Sequence, residues 1–316
     1  MRCRFSRRRV RLRPTHGPEP APMPDPSRRA LGLLAAGAAV LIWAGWIVAV
    51  RGAVSGGAGG GAGALSPVDL ALLRYGGPAL LLAPVWLRLG PLPRGVAPWR
   101  VAAMSLGWGA PFVLLGAQGL RSADVGLFAA LVPGGLPLWV AALSALFLGA
   151  RLNPAARAGL ALIALAGALA LIAATPQARA GAPWLLAASM GWAVYALAYR
   201  GSGLGPVAAT AVVSFWSCVM LTPVVMVTGT GLFALSPAAF AAQFALHGVL
   251  SGVASVAAFA LALSALGAAR AAAFSALVPA LAVLGGYVAL GEAPAPLTLL
   301  AVLCAVAGVT IINRAQ

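Results

Sequence analysis

The apolar residues of this chain fall in long unbroken blocks separated by short polar joints. Strict alternation, as in a strand, and a one-sided stripe, as in a water-facing helix, are both absent. Ten apolar stretches can be cut, at about residues 30–50, 67–87, 99–119, 122–148, 155–174, 182–199, 206–228, 241–263, 269–290 and 295–312. Each is close to the roughly 20 residues that cross a bilayer as a helix. The pattern therefore predicts an all-α integral membrane protein with ten transmembrane helices. The fourth stretch is overlong and carries Pro133 and Pro137, which predicts a kink or break, because proline removes a helical hydrogen bond. The run from Gly52 to Gly63 is glycine-rich and reads as the one flexible connection.

Composition agrees on the solvent. Apolar residues make up 62% of the 316 positions and charged residues 8%, against about 25% charged in soluble domains. Net charge is +16, yet a nucleic-acid partner is excluded: the charge is not clustered as a phosphate-tracking surface would need. Nine arginines lie in residues 1–29, and the rest are spread thinly between the stretches. Orientation explains them better, since cytoplasmic loops collect arginine. With the N-terminus inside, Arg88, Arg94, Arg100, Arg151, Arg157, Arg200, Arg270 and Arg314 fall on the inner side. Arg51, Arg121 and Arg179 fall on the outer side, a split of eight to three without the tail. The expected setting is a bacterial inner (cell) membrane, multi-pass, with both termini cytoplasmic. Residues 1–29 read as a disordered Arg/Pro-rich cytoplasmic tail, with Met23 an alternative start. Ser6-Arg7-Arg8-Arg9 has the look of a twin-arginine signal, but no apolar region follows promptly. Cys3, Cys218 and Cys304 are far apart and support neither a disulfide framework nor a metal site.

The chain also repeats itself. Trp43 precedes Arg51 by eight residues, and Trp192 precedes Arg200 by eight. Pro137, Gly149 and Pro154 return as Pro279, Gly291 and Pro296 at an offset of 142. Five spans per half is an odd number, so the two halves are expected to be inverted relative to each other, as in many secondary transporters. The first five-helix repeat is placed at 30–174 and the second at 181–313. Leu120 to Phe128 matches Leu266 to Phe274 at offset 146. The first half has thus gained about one helical turn near Pro133-Gly134-Gly135-Leu136. That backbone could open toward a cavity or bulge harmlessly against a neighbouring helix.

These residues carry a resemblance. Ala268 to Leu277, Val278-Pro279, Gly291-Glu292 and Pro296 resemble the EamA-type members of the drug/metabolite transporter superfamily. The first half fits at Pro137 and Gly149, but the usual glutamate is replaced by Ala150. Arg74 and the end of the first span also look like the family, and the resemblance covers about residues 30–313. It implies export or exchange of small metabolites, amino acids or drugs without ATP.

Polar groups inside a bilayer are costly and mark function. Arg74 is the one charge clearly within a span, seven residues after Pro67 and so about 10 Å along the helix. Either it anchors an anionic substrate group such as a carboxylate, or it snorkels to the outer interface or pairs with a helix end. Asp69 lies about 140° around the helix from it and is not an obvious partner. His247, Ser251 and Ser255 are spaced by four and share a helix face, as a cavity wall or as interhelical glue. Gln118 is a further polar candidate. Trp43, Trp192, Tyr195, Trp216 and Tyr287 fall inside spans. The repeat-related Trp43 and Trp192 are expected to line a central cavity from opposite leaflets, with core packing the other reading. The acids are Glu19, Asp25, Asp69, Asp124 and Glu292, none securely at mid-bilayer, which argues against simple proton exchange. Facilitated diffusion, or coupling through His247, stays open.

The function expected is therefore a secondary transporter working by alternating access, with no cofactor. Its partners are a small-molecule substrate and the lipid bilayer, and a homodimer is compatible with such a bundle. A membrane-embedded enzyme acting on a lipid would need a cluster of acids, bases or metal ligands, which two histidines and five scattered acids do not provide. A non-transporting scaffold or a pore is the remaining alternative.

Overall fold

Proline decides where most helices of this chain begin. The computed structural model describes residues 26–55 and 65–314. Its α-helices are α1 (Pro26–Ser55), α2 (Pro67–Leu81), α3 (Ala83–Leu89), α4 (Pro98–Trp108), α5 (Ala110–Leu120), α6 (Val125–Leu131), α7 (Leu136–Leu148) and α8 (Pro154–Ala173). They continue with α9 (Pro176–Arg179), α10 (Ala182–Arg200), α11 (Pro206–Thr228), α12 (Pro237–Gln243), α13 (Ser255–Leu266), α14 (Ala268–Ser275), α15 (Val278–Leu290) and α16 (Pro296–Arg314). A π-helix, Phe244–Ala254, joins α12 to α13. Proline suits the first turn because its missing N–H has no helical partner there. Side chains satisfy other early N–H groups: Ser66 and Asp69 form a reciprocal capping box, and Asp124 and Asn153 cap α6 and α8.

Among the described residues, seven helices are long and apolar enough to cross a membrane, or up to eight if a bent pair counts as one span. Val278–Leu290 and Pro296–Ile312 are shorter apolar helices. The chain is thus a multi-pass, all-helical membrane protein. Several expected spans are interrupted. The second turns by 71° between α2 and α3, where Pro78 lies inside α2 and Pro84 opens α3. The third breaks at Gly109, which is extended, ahead of Pro111. The fourth breaks at residues 132–135 as its prolines predict, and the Val132 carbonyl accepts a 2.9 Å bond from Ser189 Oγ. The freed backbone group thus meets a neighbouring helix. α1 starts at Pro26, ahead of the expected residue 30; the rest of the tail, and most of the Gly52 to Gly63 run, lie outside the described residues.

The helices of the two sequence halves interleave. α1 packs along α13 and α15, α10 along α4, α5 and α7, α2 along the π-helix and α11, and α8 along α16. Small residues permit the closest approaches. A Cβ on Gly77 would stand 2.6 Å from the Gly248 Cα, and one on Gly107 would run into the Gly191 carbonyl oxygen. Both contacts flank the cavity described next.

Candidate substrate-binding site

Where α2, α4, α10, α11 and the π-helix converge, the bundle encloses a cavity of about 20 Å³, room for about one water molecule. Arg74, Tyr75 and Trp108 line it from the first half of the chain. Tyr195, Thr210, Val213, Ser214, Gly252 and Val256 line it from the second. The break at Gly109 shapes one wall. It takes the Trp108 carbonyl out of the helical ladder, and the Tyr75 hydroxyl donates to it. On the other side of the break, the Ala110 N–H donates to Ser217 Oγ at 3.0 Å, while Ser217 itself donates to the Val213 carbonyl at 2.7 Å. Two interhelical bonds thus repair the interruption, as a low-dielectric interior requires.

Arg74 is buried at 7% exposure, so it does not snorkel. Its guanidinium lies 5.5 Å from the Trp46 ring and 5.9 Å from the Tyr75 ring, within cation–π range. It has no hydrogen bond or ion pair among the described residues. Asp69 is occupied elsewhere: it accepts from Ser66, from Thr230 Oγ1 at 2.6 Å and from the Gly231 N–H at 2.9 Å. Beside the arginine, Ser214 Oγ is buried without a partner.

An aromatic wall adjoins the cation. Trp108 packs on Phe112 at 4.3 Å, on Trp192 at 4.5 Å and on Tyr195 at 5.8 Å. Trp46 stacks on Phe112 at 6.5 Å. Of the expected site residues, Arg74 and Tyr195 line the cavity, and Trp192 stands directly behind Trp108. His247 and Ser251 are fully buried on the π-helix with unpartnered polar atoms, next to the cavity wall but not in it. Ser255 turns its hydroxyl onto the Ser251 carbonyl at 2.7 Å.

The other candidates lie elsewhere. Trp43 packs against Phe259 at 4.9 Å, so the two repeat-related tryptophans do not meet at the cavity; Trp46, almost one turn on, is the one beside Arg74. Trp216 donates from Nε1 to the Pro91 carbonyl at 2.7 Å and ties α11 to the loop before α4. Tyr287 is 55% exposed, because α15 buries the face carrying Val278, Pro279, Ala282, Val283 and Gly286. Gln118 is half-buried near the end of α5. Sequence reasoning missed Tyr75, Thr210 and Ser214. Thr210, Ser214 and Ser217 recur at helical spacing on an apolar helix, the same signal that singled out His247.

The fold is thus multi-pass and helical, with a small buried polar and aromatic cavity lined by residues from both halves of the sequence. Residues 179–314 match the model of the EamA-like transporter family, a match that supports an EamA-type member of the drug/metabolite transporter superfamily. The matched residues span the stretch that carries Pro279, Gly291-Glu292 and Pro296. A solved structure described as "Crystal structure of protein" aligns over 90% of this chain and 97% of its own, with a TM-score of 0.54 and 20% identity. It shows a similarity of fold. No match is found among curated proteins.

Proposed function

We propose that this protein is a secondary transporter that moves a small organic solute across a bacterial inner membrane by alternating access, with Arg74 anchoring an anionic group of the solute. The observation that carries this reading is the placement of Arg74: a buried cation without an acid partner among the described residues, in a cavity lined by both halves. A charge in that setting costs several kcal/mol unless an anion joins it.

The reading includes ten spans as two inverted five-helix repeats, 30–174 and 181–313, with both termini cytoplasmic. Packing supports it. If helices exchange roles between halves, the contact of α1 with α13 has its mate in that of α10 with α4 and α5. The contact of α1 with α15 likewise has its mate in that of α10 with α7. Contacts at the helix ends agree with an alternating path. Arg51 meets Leu120 and Glu292, Asp69 meets Thr230, and Arg100 donates to the Ala198 carbonyl at 3.0 Å. Each of these joins segments that ten crossings put on one side. The lipid bilayer is the medium, and a homodimer is compatible with the reading.

Uptake of a labelled panel of amino acids and organic acids into proteoliposomes tests it. Arg74→Ala should abolish transport of carboxylated solutes while leaving insertion intact, and Arg74→Lys should keep part of it. Unchanged uptake by Arg74→Ala would overturn the anchoring role. Reporter fusions after Arg94 and after Gln177 should report opposite sides of the membrane; the same side for both refutes the topology.

A further inference from the structure

We propose that the Arg74 cavity selects an organic carboxylate that lacks an ammonium group, an aromatic or aliphatic acid, over the corresponding amino acid or amine. The proposal rests on the reading of Arg74 as anchor and goes further, to what the site offers the rest of the solute.

The argument is one of charge balance. Arg74 supplies one positive charge to a nearly dry site. A monocarboxylate brings the local sum to zero. A zwitterion would leave it at plus one, with its ammonium needing an acceptor that carries negative charge. The described residues provide none there. Asp69 is held by Ser66, Thr230 and Gly231. Asp124 caps α6 through the Leu127 N–H at 2.7 Å. Glu292 is paired with Arg51 at 2.6 Å. All three sit at helix ends, away from the cavity lining; Glu19 and Asp25 lie in the tail, outside the described residues.

Neutral groups do not replace a carboxylate. The Tyr75 hydroxyl is committed to the Trp108 carbonyl, and Thr210 Oγ1 donates to the Pro206 carbonyl at 2.9 Å. Ser214 Oγ, buried and without a partner, is placed to donate to a carboxylate that reaches Arg74. His247, behind the wall, is neutral or cationic in any state and adds no negative charge. Aromatic faces can hold an ammonium, but the faces of Trp46 and Tyr75 already hold the guanidinium. The remaining wall, Trp108 with Phe112, Trp192 and Tyr195, is aromatic and suited to a ring or an alkyl chain; its polar atoms, the Tyr195 hydroxyl and the indole N–H groups, are neutral and supply no negative charge. The cavity holds about one water molecule as it stands, so the body of the solute is accommodated by parting the halves, while Arg74 and Ser214 receive the carboxylate.

Three compounds with one skeleton isolate the effect: 3-phenylpropionate, phenylalanine and phenethylamine. Binding of labelled 3-phenylpropionate to the full-length protein in nanodiscs should be saturable. Phenylalanine should compete at least about tenfold more weakly, and phenethylamine should not compete. Arg74→Ala should abolish binding and Arg74→Lys should retain a weakened form. If Arg74→Ala does not reconstitute, competition on the unaltered protein decides by itself. Equal competition by phenylalanine, or no saturable binding of 3-phenylpropionate, overturns the ammonium-free class, while the anchoring role stands or falls on uptake of the amino-acid and organic-acid panel by Arg74→Ala. Binding that survives Arg74→Ala overturns both.

Discussion

Arg51, near the end of α1, and Glu292, just past the end of α15, form an ion pair at 2.6 Å that gathers four segments at one end of the bundle. Arg51 also donates to the Leu120 carbonyl at 2.7 Å. Glu292 also accepts the first N–H of α6, from Val125, at 2.9 Å, where the helix dipole favours a carboxylate. The pair therefore joins α1, the end of α5, the start of α6 and the end of α15, with side chains only 18% and 21% exposed.

Removing one partner should cost more than an ordinary surface pair. Glu292→Ala strands the Arg51 guanidinium and the Val125 N–H, and a loss of about 2–4 kcal/mol is expected. Thermal unfolding of the purified protein, followed by tryptophan fluorescence, should show a clearly lowered midpoint. A double-mutant cycle with Arg51→Ala should return a coupling of more than about 1 kcal/mol.

The repeat-related positions should behave differently. Arg200 stands where Arg51 does, and Ala150 stands in place of Glu292. Both Gly149 and Gly291 end their helices at positive φ, 61° and 69°, so the turn is kept while the carboxylate is lost. Ala150 and Arg200 are both exposed. Ala150→Glu should change stability by less than about 0.5 kcal/mol, in contrast to Glu292→Ala in the same assay.

Adjacent glycines in α2 make a paired test of helix approach. A Cβ on Gly77 meets the Gly248 backbone at 2.6 Å, whereas one on Gly76 meets nothing within 4 Å. Gly77→Ala should destabilise by about 1–3 kcal/mol and disturb ligand binding, since it moves the helix that carries Arg74. Gly76→Ala should be neutral or slightly stabilising, by up to about 1 kcal/mol. Unfolding midpoints and 3-phenylpropionate affinity, measured together, check both.

The side chains that repair helix breaks should be sensitive to removal of a single atom. Tyr75→Phe leaves the Trp108 carbonyl unpaired, and Ser189→Ala leaves the Val132 carbonyl unpaired. Each should cost about 1–3 kcal/mol. Tyr287→Phe, on the exposed face of α15, should be indistinguishable from the unaltered protein in stability and binding.

Much of the fold was legible because its signals are local. Apolar block length marked a multi-pass helical membrane protein, of whose ten expected spans seven or eight are long and apolar enough among the described residues, and Pro133 with Pro137 announced the break before α7. The break at Gly109 was equally announced by Gly109-Ala110-Pro111, yet a continuous apolar run concealed it. The lining of the candidate cavity was legible in part. Arg74 stood out because a charge within an apolar block has few explanations, and Tyr195 because it accompanied a repeated tryptophan. Trp216 and Tyr287 are marked by depth along a helix alone, and Trp43 by depth together with its repeat relation to Trp192. Depth does not tell which way a side chain points around the axis, and a turn of 100° per residue separates the cavity from lipid or from a neighbouring helix.

By itself, the sequence determined the solvent, the all-helical class and the presence of one costly cation within a span, because each follows from composition or from spacing along one segment. Only the tertiary structure decided that Asp69, five residues from Arg74, is committed to Thr230 and Gly231 while Arg74 is left to Trp46, Tyr75 and the cavity. It alone decided that Glu292 closes onto Arg51, 241 residues away. Such pairings depend on which helices pack together and at what rotation. Those are set by the fit of many small side chains across interfaces, such as Gly77 on Gly248, and no single stretch of chain encodes them.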